Sequence, residues 1–447
     1  MESSTTCENS RGAPLAAPME PIEPRATRLQ LTGKRAVAVV YSSYPSDPRP
    51  RRAAEALAKE GASVEVICLR ETDEEPQHEF FDGIGITRIS MKRCRGGKLS
   101  YVLQYGSFTL LSALILAGRA LKRRYDLVHV HNMPDILVFS ALIPKILGAK
   151  VILDLHDPMP ELMTTIFGLQ ENSPPVLLLK VLEKWSLCFA DAVITVNKAC
   201  QKIFSARSCP LEKISVVMNS PDEEIFKYRE PLRQGLIGRD LSKPFVIMYH
   251  GSLVERHGLD LAVAALEKIR ETVPRAELRV YGRRTPFLDQ VLNSARKSQV
   301  SDDVRYMGPK NLEEIAEAIC QCDVGIIPNR RSIFTELNTP TRIFEYLSQG
   351  KPVIAPRVPG ILDYFSPQAL IFFELGDADD LAAKIEYVFR HPEQIVGVVD
   401  RGQEVYWAHR WSSERSRFIE LARNLLDEPL RSGIRSGKRP PIGCGAS

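Results

Sequence analysis

The sequence predicts an α/β protein made of two doubly wound halves. Short apolar runs that suit strands covered on both faces recur along the chain, separated by stretches of helical character. The series stops at a polar segment and then restarts. With 447 residues, 44% of them hydrophobic, the chain can build two domains, each with its own core.

The first series opens at 36–41, Ala-Val-Ala-Val-Val-Tyr. A helix is expected at 51–60, ended by Gly61, and a second strand at 63–69. Strands at 127–131 and 151–155 follow with a helix at 136–147 between them, and strands at 192–196 and 214–218 close the half. Such alternation gives right-handed βαβ crossovers and a parallel sheet with helices on both faces. From 219 to 243 Pro, Asp, Glu and Arg break the pattern. Strands then return at 245–249, 277–281, 304–307, 324–327, 353–355 and 369–373, with helices at 259–273, 380–390 and 412–426. The expected organisation is a disordered leader over 1–32, an N-terminal domain over 33–225, a linker over 226–243, a C-terminal domain over 244–405, a closing helix over 406–428 and a disordered tail over 429–447. The leader lacks the apolar core of a signal peptide.

A net charge of +4 is small for this length and gives no indication of nucleic acid. The nine cysteines lack metal-ligand spacing, and an odd, unclustered set fits reduced thiols and a cytoplasmic setting.

The segment 338–360 is the most informative. Thr339 is a natural N-cap, Pro340 fits a first helical turn, Ile343, Phe344 and Leu347 form an inward face, and Gly350 ends the helix in a left-handed cap. Its N-terminus would offer N–H groups and the positive end of the helix dipole to a phosphate. Arg342 adds a charge, and Glu345 lies one turn deeper, where a carboxylate can accept hydrogen bonds from a ribose diol.

This segment, Phe-Glu-Tyr-Leu-Ser-Gln-Gly-Lys-Pro-Val-Ile from Phe344, resembles the signature of retaining glycosyltransferases of family 4. The resemblance spans about 35–426 and implies a GT-B fold: two Rossmann-like domains facing across a cleft, a nucleotide-sugar donor held by the second, and a last helix crossing back to the first. Glu345 matches the second Glu of the family's Glu-x7-Glu pair, which holds the ribose. Leu337 occupies the first position and Glu336 is its neighbour, so the register slips by one or that contact to the donor sugar is lacking.

The resemblance also assigns roles elsewhere. His250-Gly251-Ser252 to His257-Gly258 matches the donor-phosphate loop, with Ser252 and His257 replacing the usual Arg and Lys. Cations for the leaving diphosphate would then come from Arg256, Arg283, Arg330 and Arg342; Arg256 either touches phosphate or pairs with Glu255 or solvent. Met307 begins the base-binding turn, Thr341 lies in the donor helix, and Gly360 and Ile361 stand where relatives give backbone N–H groups to the donor. His129 and His131 are read as pointing to opposite faces, with His131 at the strand end near the transferred sugar, or else satisfied in the core. The candidate catalytic residues are His131, Arg256 and Glu336. Arg49, Asp135 and Asp157 are placed on the acceptor side, Glu161 is a further candidate there, and Arg49, Arg51 and Arg52 suit a lipid-linked diphosphate or form a solvated helix start. Asp363 and Asp377-Ala378-Asp379 are read as structural, and no metal is expected.

Residues 99–118 carry no charge and are flanked by basic residues within 92–124. The length permits a membrane span, but the position inside the first domain favours a helix lying on anionic lipid, or a plain core helix. The function expected is transfer of a sugar from a nucleotide-sugar donor to a glycan or lipid-linked acceptor, at the cytoplasmic membrane face. A nucleotide-sugar epimerase of the same fold and a non-catalytic nucleotide-sugar-binding scaffold remain the alternatives.

Overall fold

The computed structural model describes residues 30–91, 98–231, 240, 242–298 and 300–427. Most of the expected leader, the tail, Lys92, Arg93, Arg95 and half of the linker lie outside the described residues.

The first sheet contains β1 (Arg35–Ser43), β2 (Ser63–Leu69), β3 (His78–Phe81), β4 (Ile84–Ile89), β5 (Leu127–His131), β6 (Lys150–Leu155), β7 (Ala192–Thr195) and β8 (Ile214–Val216). Their spatial order is β3-β4-β2-β1-β5-β6-β7-β8, all parallel except the β3–β4 hairpin. Around it lie α1 (Pro48–Lys59), α2 (Lys98–Lys122), α3 (Leu142–Ile146), α4 (Met159–Phe167), α5 (Pro174–Phe189) and α6 (Lys198–Arg207). The second sheet contains β9 (Phe245–His250), β10 (Ala276–Tyr281), β11 (Val304–Gly308), β12 (Val324–Ile326), β13 (Val353–Pro356) and β14 (Ile371–Phe373), ordered β11-β10-β9-β12-β13-β14. Its helices are α7 (Leu259–Ile269), α8 (Pro286–Lys297), α9 (Leu312–Cys320), α10 (Ile333–Leu337), α11 (Thr341–Ser348), α12 (Pro359–Leu362), α13 (Ala378–Arg390), α14 (Pro392–His409) and α15 (Trp411–Asp427).

Every residue of β5, β7, β9 and β13 is buried, which is why these strands are largely apolar, with His129 and His131 of β5 among the polar exceptions that need partners. Polar caps fix where helices begin. Asn311 and Glu314 form a reciprocal capping box on α9, and Asp377 accepts from the backbone N–H groups of Asp379 and Asp380 at the start of α13. Asp379 itself pairs with Lys268 at 2.6 Å.

Three local expectations are corrected. Residues 135–141 form a 3-10 turn, so the helix expected over 136–147 shrinks to α3. Thr339 does not cap α11; Pro340 precedes the helix, and the Thr339 hydroxyl donates to the Gly360 carbonyl at 2.6 Å. His129 and His131 share one face, with ring centroids 4.1 Å apart, because residues two apart on a strand point the same way.

α15 leaves the second domain and buries Phe418, Ile419, Ala422 and Leu425 in the core beneath β1 and α1. Arg415 pairs with Glu60 at 2.7 Å, and Glu414 accepts from the Met218 N–H at 2.9 Å. Between the domains, Asn197 donates to the Leu337 carbonyl at 2.8 Å, Thr341 to the Asn219 carbonyl at 2.9 Å, and Lys202 pairs with Asp363 at 2.6 Å. These contacts set the width of the cleft.

Candidate active site

A cleft of about 930 Å³ opens between the C-terminal ends of the two sheets. From the second domain it is lined by Gly251, Ser252, Leu253, Val254, His257, Arg283, Thr341, Arg342 and Glu345, and from the first by Arg49, His156, Asp157 and Asn219.

On the C-terminal side, α11 directs its first turn at the cleft. Ile343, Phe344, Tyr346 and Leu347 are buried and anchor it. Arg342 stacks on the Tyr249 ring at 5.0 Å and donates to the His250 carbonyl at 2.7 Å, which fixes its charge beside Gly251. The Glu345 carboxylate meets His250 Nε2 at 2.6 Å. The Tyr346 hydroxyl donates to the Met248 carbonyl at 2.9 Å and also lies 2.9 Å from His250 Nδ1. A carboxylate can only accept, so Nε2–H donates to Glu345. His250 Nε2 thus holds one oxygen of Glu345. A Cβ on Gly282, at φ +155°, would lie 2.3 Å from the Gly251 carbonyl, so only glycine lets the ends of β9 and β10 meet here.

The first domain supplies a buried polar chain. Arg49 grips both oxygens of Asp154, Nη2–Oδ1 at 2.6 Å and Nε–Oδ2 at 3.1 Å, and donates to the Val217 carbonyl. Although burial pulls the other way, Arg49 and the histidines hold Asp154 well below the usual carboxylate range. His131 Nδ1 lies 3.4 Å from Asp154 and 3.0 Å from His156 Nε2. Burial lowers the His131 imidazole to about 4 and pushes His156 well below its ordinary value, so both are neutral at pH 7. His156 and Asp157, just beyond the end of β6, reach the cleft together with Arg49. Burial raises Asp157 to about 6 against the pull of Arg256 and Arg49.

Two family models match the chain. "Glycosyl transferase 4-like domain" covers residues 47–220 and "Glycosyl transferases group 1" covers 244–391. The chain is a glycosyltransferase of the family 4 type. It is 22% identical to the chitobiosyldiphosphodolichol beta-mannosyltransferase of Kluyveromyces lactis, over 87% of this chain and 90% of that one. It is 23% identical to a glycogen synthase of Mycobacterium tuberculosis over 47% of this chain and 48% of that one. Among solved structures it resembles sucrose-phosphate synthase from Thermosynechococcus elongatus, with TM-score 0.70 and 17% identity over 88% of this chain and 99% of the other. It also resembles Anabaena HepE in complex with UDP-glucose, with TM-score 0.63 and 13% identity over 87% and 98%. The architecture is therefore GT-B, and the transferase acts on nucleotide-sugar donors.

Within this glycosyltransferase several expected site residues stand elsewhere. His131 is fully buried, and His156 takes its place at the cleft. Gly360 and Ile361 are buried in α12; a Cβ on Gly360 would lie 2.4 Å from the Leu337 carbonyl, so this glycine serves close packing on α10. Met307 is exposed and does not line the cleft, whereas Pro309 and Lys310 of the same turn do. Glu336 turns to Arg331 at 3.5 Å, and Leu337 packs towards the first domain's core. Arg256 lines a second cavity beside the cleft. Arg330 is paired with Asp260.

The acceptor-side candidates are largely committed to structure. Asp135 is buried, accepts from Asn132 at 3.0 Å, and is raised to about 7 by burial. Glu161 binds Arg207, Arg51 pairs with Glu55, and Arg52 donates to the Ser220 carbonyl and Asn219. Arg49 touches the cleft but is neutralised by Asp154. His129, His131 and Asp154 bring ligand-type atoms within 4.8 Å of one another. A cation held there would face the Arg49 guanidinium already bound to both Asp154 oxygens.

His250 is the residue the sequence reading missed. It reads as the strand's end before a glycine loop, and only its position beside Glu345 in space reveals its part.

Proposed function

We propose that the protein transfers a hexose with retention from a nucleoside diphosphate sugar to a lipid-linked or polysaccharide-precursor acceptor, working as a peripheral protein on the cytoplasmic face of a membrane. The observation that carries the donor half is Glu345, clamped by His250 one turn inside α11 with Arg342 at the helix start. This arrangement supplies a carboxylate for the ribose diol. A guanidinium and a helix N-terminus then serve the diphosphate beside it. Arg283 adds a second cation at the cleft. With these charges and the dipole aimed at the leaving group, transfer needs no divalent metal, and activity should survive EDTA.

The acceptor half draws support from the yeast relative, whose name describes a lipid-diphosphate saccharide, and from α2. This helix exposes Val102, Leu103, Leu110 and Leu114, with Lys122, Arg123 and Arg124 exposed at its end, a pattern suited to anionic lipid. Retention follows the resemblance to retaining family 4 enzymes. Inversion is a second reading, favoured by Asp157: a carboxylate at the cleft, raised to about 6, suits a base for an acceptor hydroxyl.

The test is turnover of UDP-, GDP- and ADP-sugars with chitobiosyl diphosphate lipid, with the anomeric configuration of the product read by NMR. Transfer that is lost in Glu345→Ala supports the reading. Conversion of the donor without an acceptor would favour an epimerase, and nucleotide binding with no turnover would favour a scaffold.

A further inference from the structure

Beside the donor cleft lies a second cavity of about 650 Å³, lined by Thr165 and Ile166 of α4 and by Glu255, Arg256, Arg330, Arg331 and Ser332 of the second domain, among others. The loop 251–258 separates the two: its start lines the donor cleft, and Glu255 and Arg256 line the cavity. Just behind its wall, shut off from water, the Thr165 hydroxyl and Arg256 Nε have no partner. The open wall itself is polar: Arg256, Arg330, Arg331 and Ser332 carry donors and Glu255 an acceptor.

Charge decides which kind of ligand suits it. Arg330 is paired with Asp260, Arg331 lies 3.5 Å from Glu336, and Arg256 feels Asp157. Glu255 also lines the wall. Three guanidiniums are thus met by at least as many carboxylates, leaving no positive excess for a diphosphate. Alternating donors and acceptors instead match the hydroxyls of a sugar.

The cavity's outer rim is apolar and continues onto the N-terminal domain's surface. Ile166 is 47% exposed, and Phe167 meets Tyr101 of α2 edge-on at 6.1 Å. Val102 and Leu103 follow on α2, and Leu177, Leu178 and Val181 are exposed on α5, which packs against α4.

We propose that this cavity is the subsite for the saccharide head of an amphiphilic acceptor, whose apolar chain lies over the α4, α2 and α5 face. The proposal rests on the reading of a lipid-linked acceptor given above, and adds where the head binds and why it is a sugar.

Binding, rather than turnover, tests it. The full chain is titrated calorimetrically with dodecyl maltoside, dodecyl chitobioside and dodecyl phosphate, each below its micelle-forming concentration. Thr165→Trp fills the cavity; Arg331→Ala, at an exposed residue, covers the case in which the first variant does not fold. Both variants should lose affinity for a glycoside that the wild type binds, by about tenfold or more, the scale of one or two lost hydrogen bonds to a charged group. Their affinity for dodecyl phosphate, and for UDP or GDP, should stay unchanged. Unaltered glycoside affinity in the variants, or no glycoside binding by the wild type, would overturn the subsite. An equal loss for dodecyl phosphate would overturn its assignment to a saccharide. If binding behaves as expected while transfer to every acceptor fails, the transferase reading with a lipid-linked acceptor falls and the subsite stands.

Discussion

Glu345 and His250 meet in the donor cleft 2.6 Å apart, and Tyr346 fixes the far side of the imidazole. Removing His250 therefore leaves Glu345 unsupported, and removing Glu345 leaves the buried His250 Nε2–H without its partner. A charge-assisted hydrogen bond is worth about 1.5–3 kcal/mol, so His250→Phe should weaken nucleotide-sugar binding by about ten- to hundredfold in calorimetry. Asp157 yields a prediction in pH. Its folded pKa of about 6 lies above the ordinary aspartate value, so the neutral form is favoured by folding. That stabilising contribution is complete below about pH 3.9 and is lost as pH rises through 6. Asp157→Asn should thus melt higher than the wild type above pH 6 and alike near pH 3.5. If Asp157 acts as base, activity should fall as pH drops through 6, and the Asn variant should lose that limb of the profile.

Elements were legible where burial is symmetrical. β9 and β13 are buried on both faces and mostly apolar, so their sequences name them without alternation. β3 escaped detection because His78, at its edge, is exposed and Glu79 and Phe81 only partly covered. α14 was hidden by Gly397 and Gly402, which weaken a helical pattern. Yet a Cβ on Gly402 would lie 2.6 Å from the Ala369 carbonyl, so the helix needs that glycine to approach. Gly360 shows the converse limit: sequence gives the glycine but not that the Leu337 carbonyl comes close to it. Gly360→Ala should shift α12 against α10 and cost about 1–3 kcal/mol in denaturant unfolding, the usual range for overpacking. On α2, Leu110→Asp with Leu114→Asp removes exposed apolar side chains without touching the cleft. Flotation with anionic vesicles should show the protein released, with nucleotide binding intact; retention on the vesicles would count against α2 as the lipid contact.

At the scale of the molecule, the two sheets and their order across a polar break could be read from the chain, because the pattern of buried strands repeats. Much of the cleft's lining could be read too, Gly251, Ser252, Arg283, Thr341, Arg342, Glu345, Arg49 and Asp157 among it. The contacts of His250 and His156 could not, since they depend on which loop and strand ends meet in space. α15 is the brace of that arrangement: Phe418 is buried in the first domain and stacks near His129 at 5.2 Å. Phe418→Ala should cost about 3–5 kcal/mol and loosen the first domain, seen as a lower melting temperature. The central claim is that the α11 terminus, backed by His250 and Glu345, binds a nucleoside diphosphate sugar. Thermal shift with UDP, GDP and ADP and their sugars, on the wild type and Glu345→Ala, tests it most directly. One nucleotide at a hundredfold excess over its dissociation constant should stabilise the wild type by about 2.7 kcal/mol, with EDTA present, and Glu345→Ala much less. Equal shifts in both proteins, or no shift with any nucleotide, would contradict it.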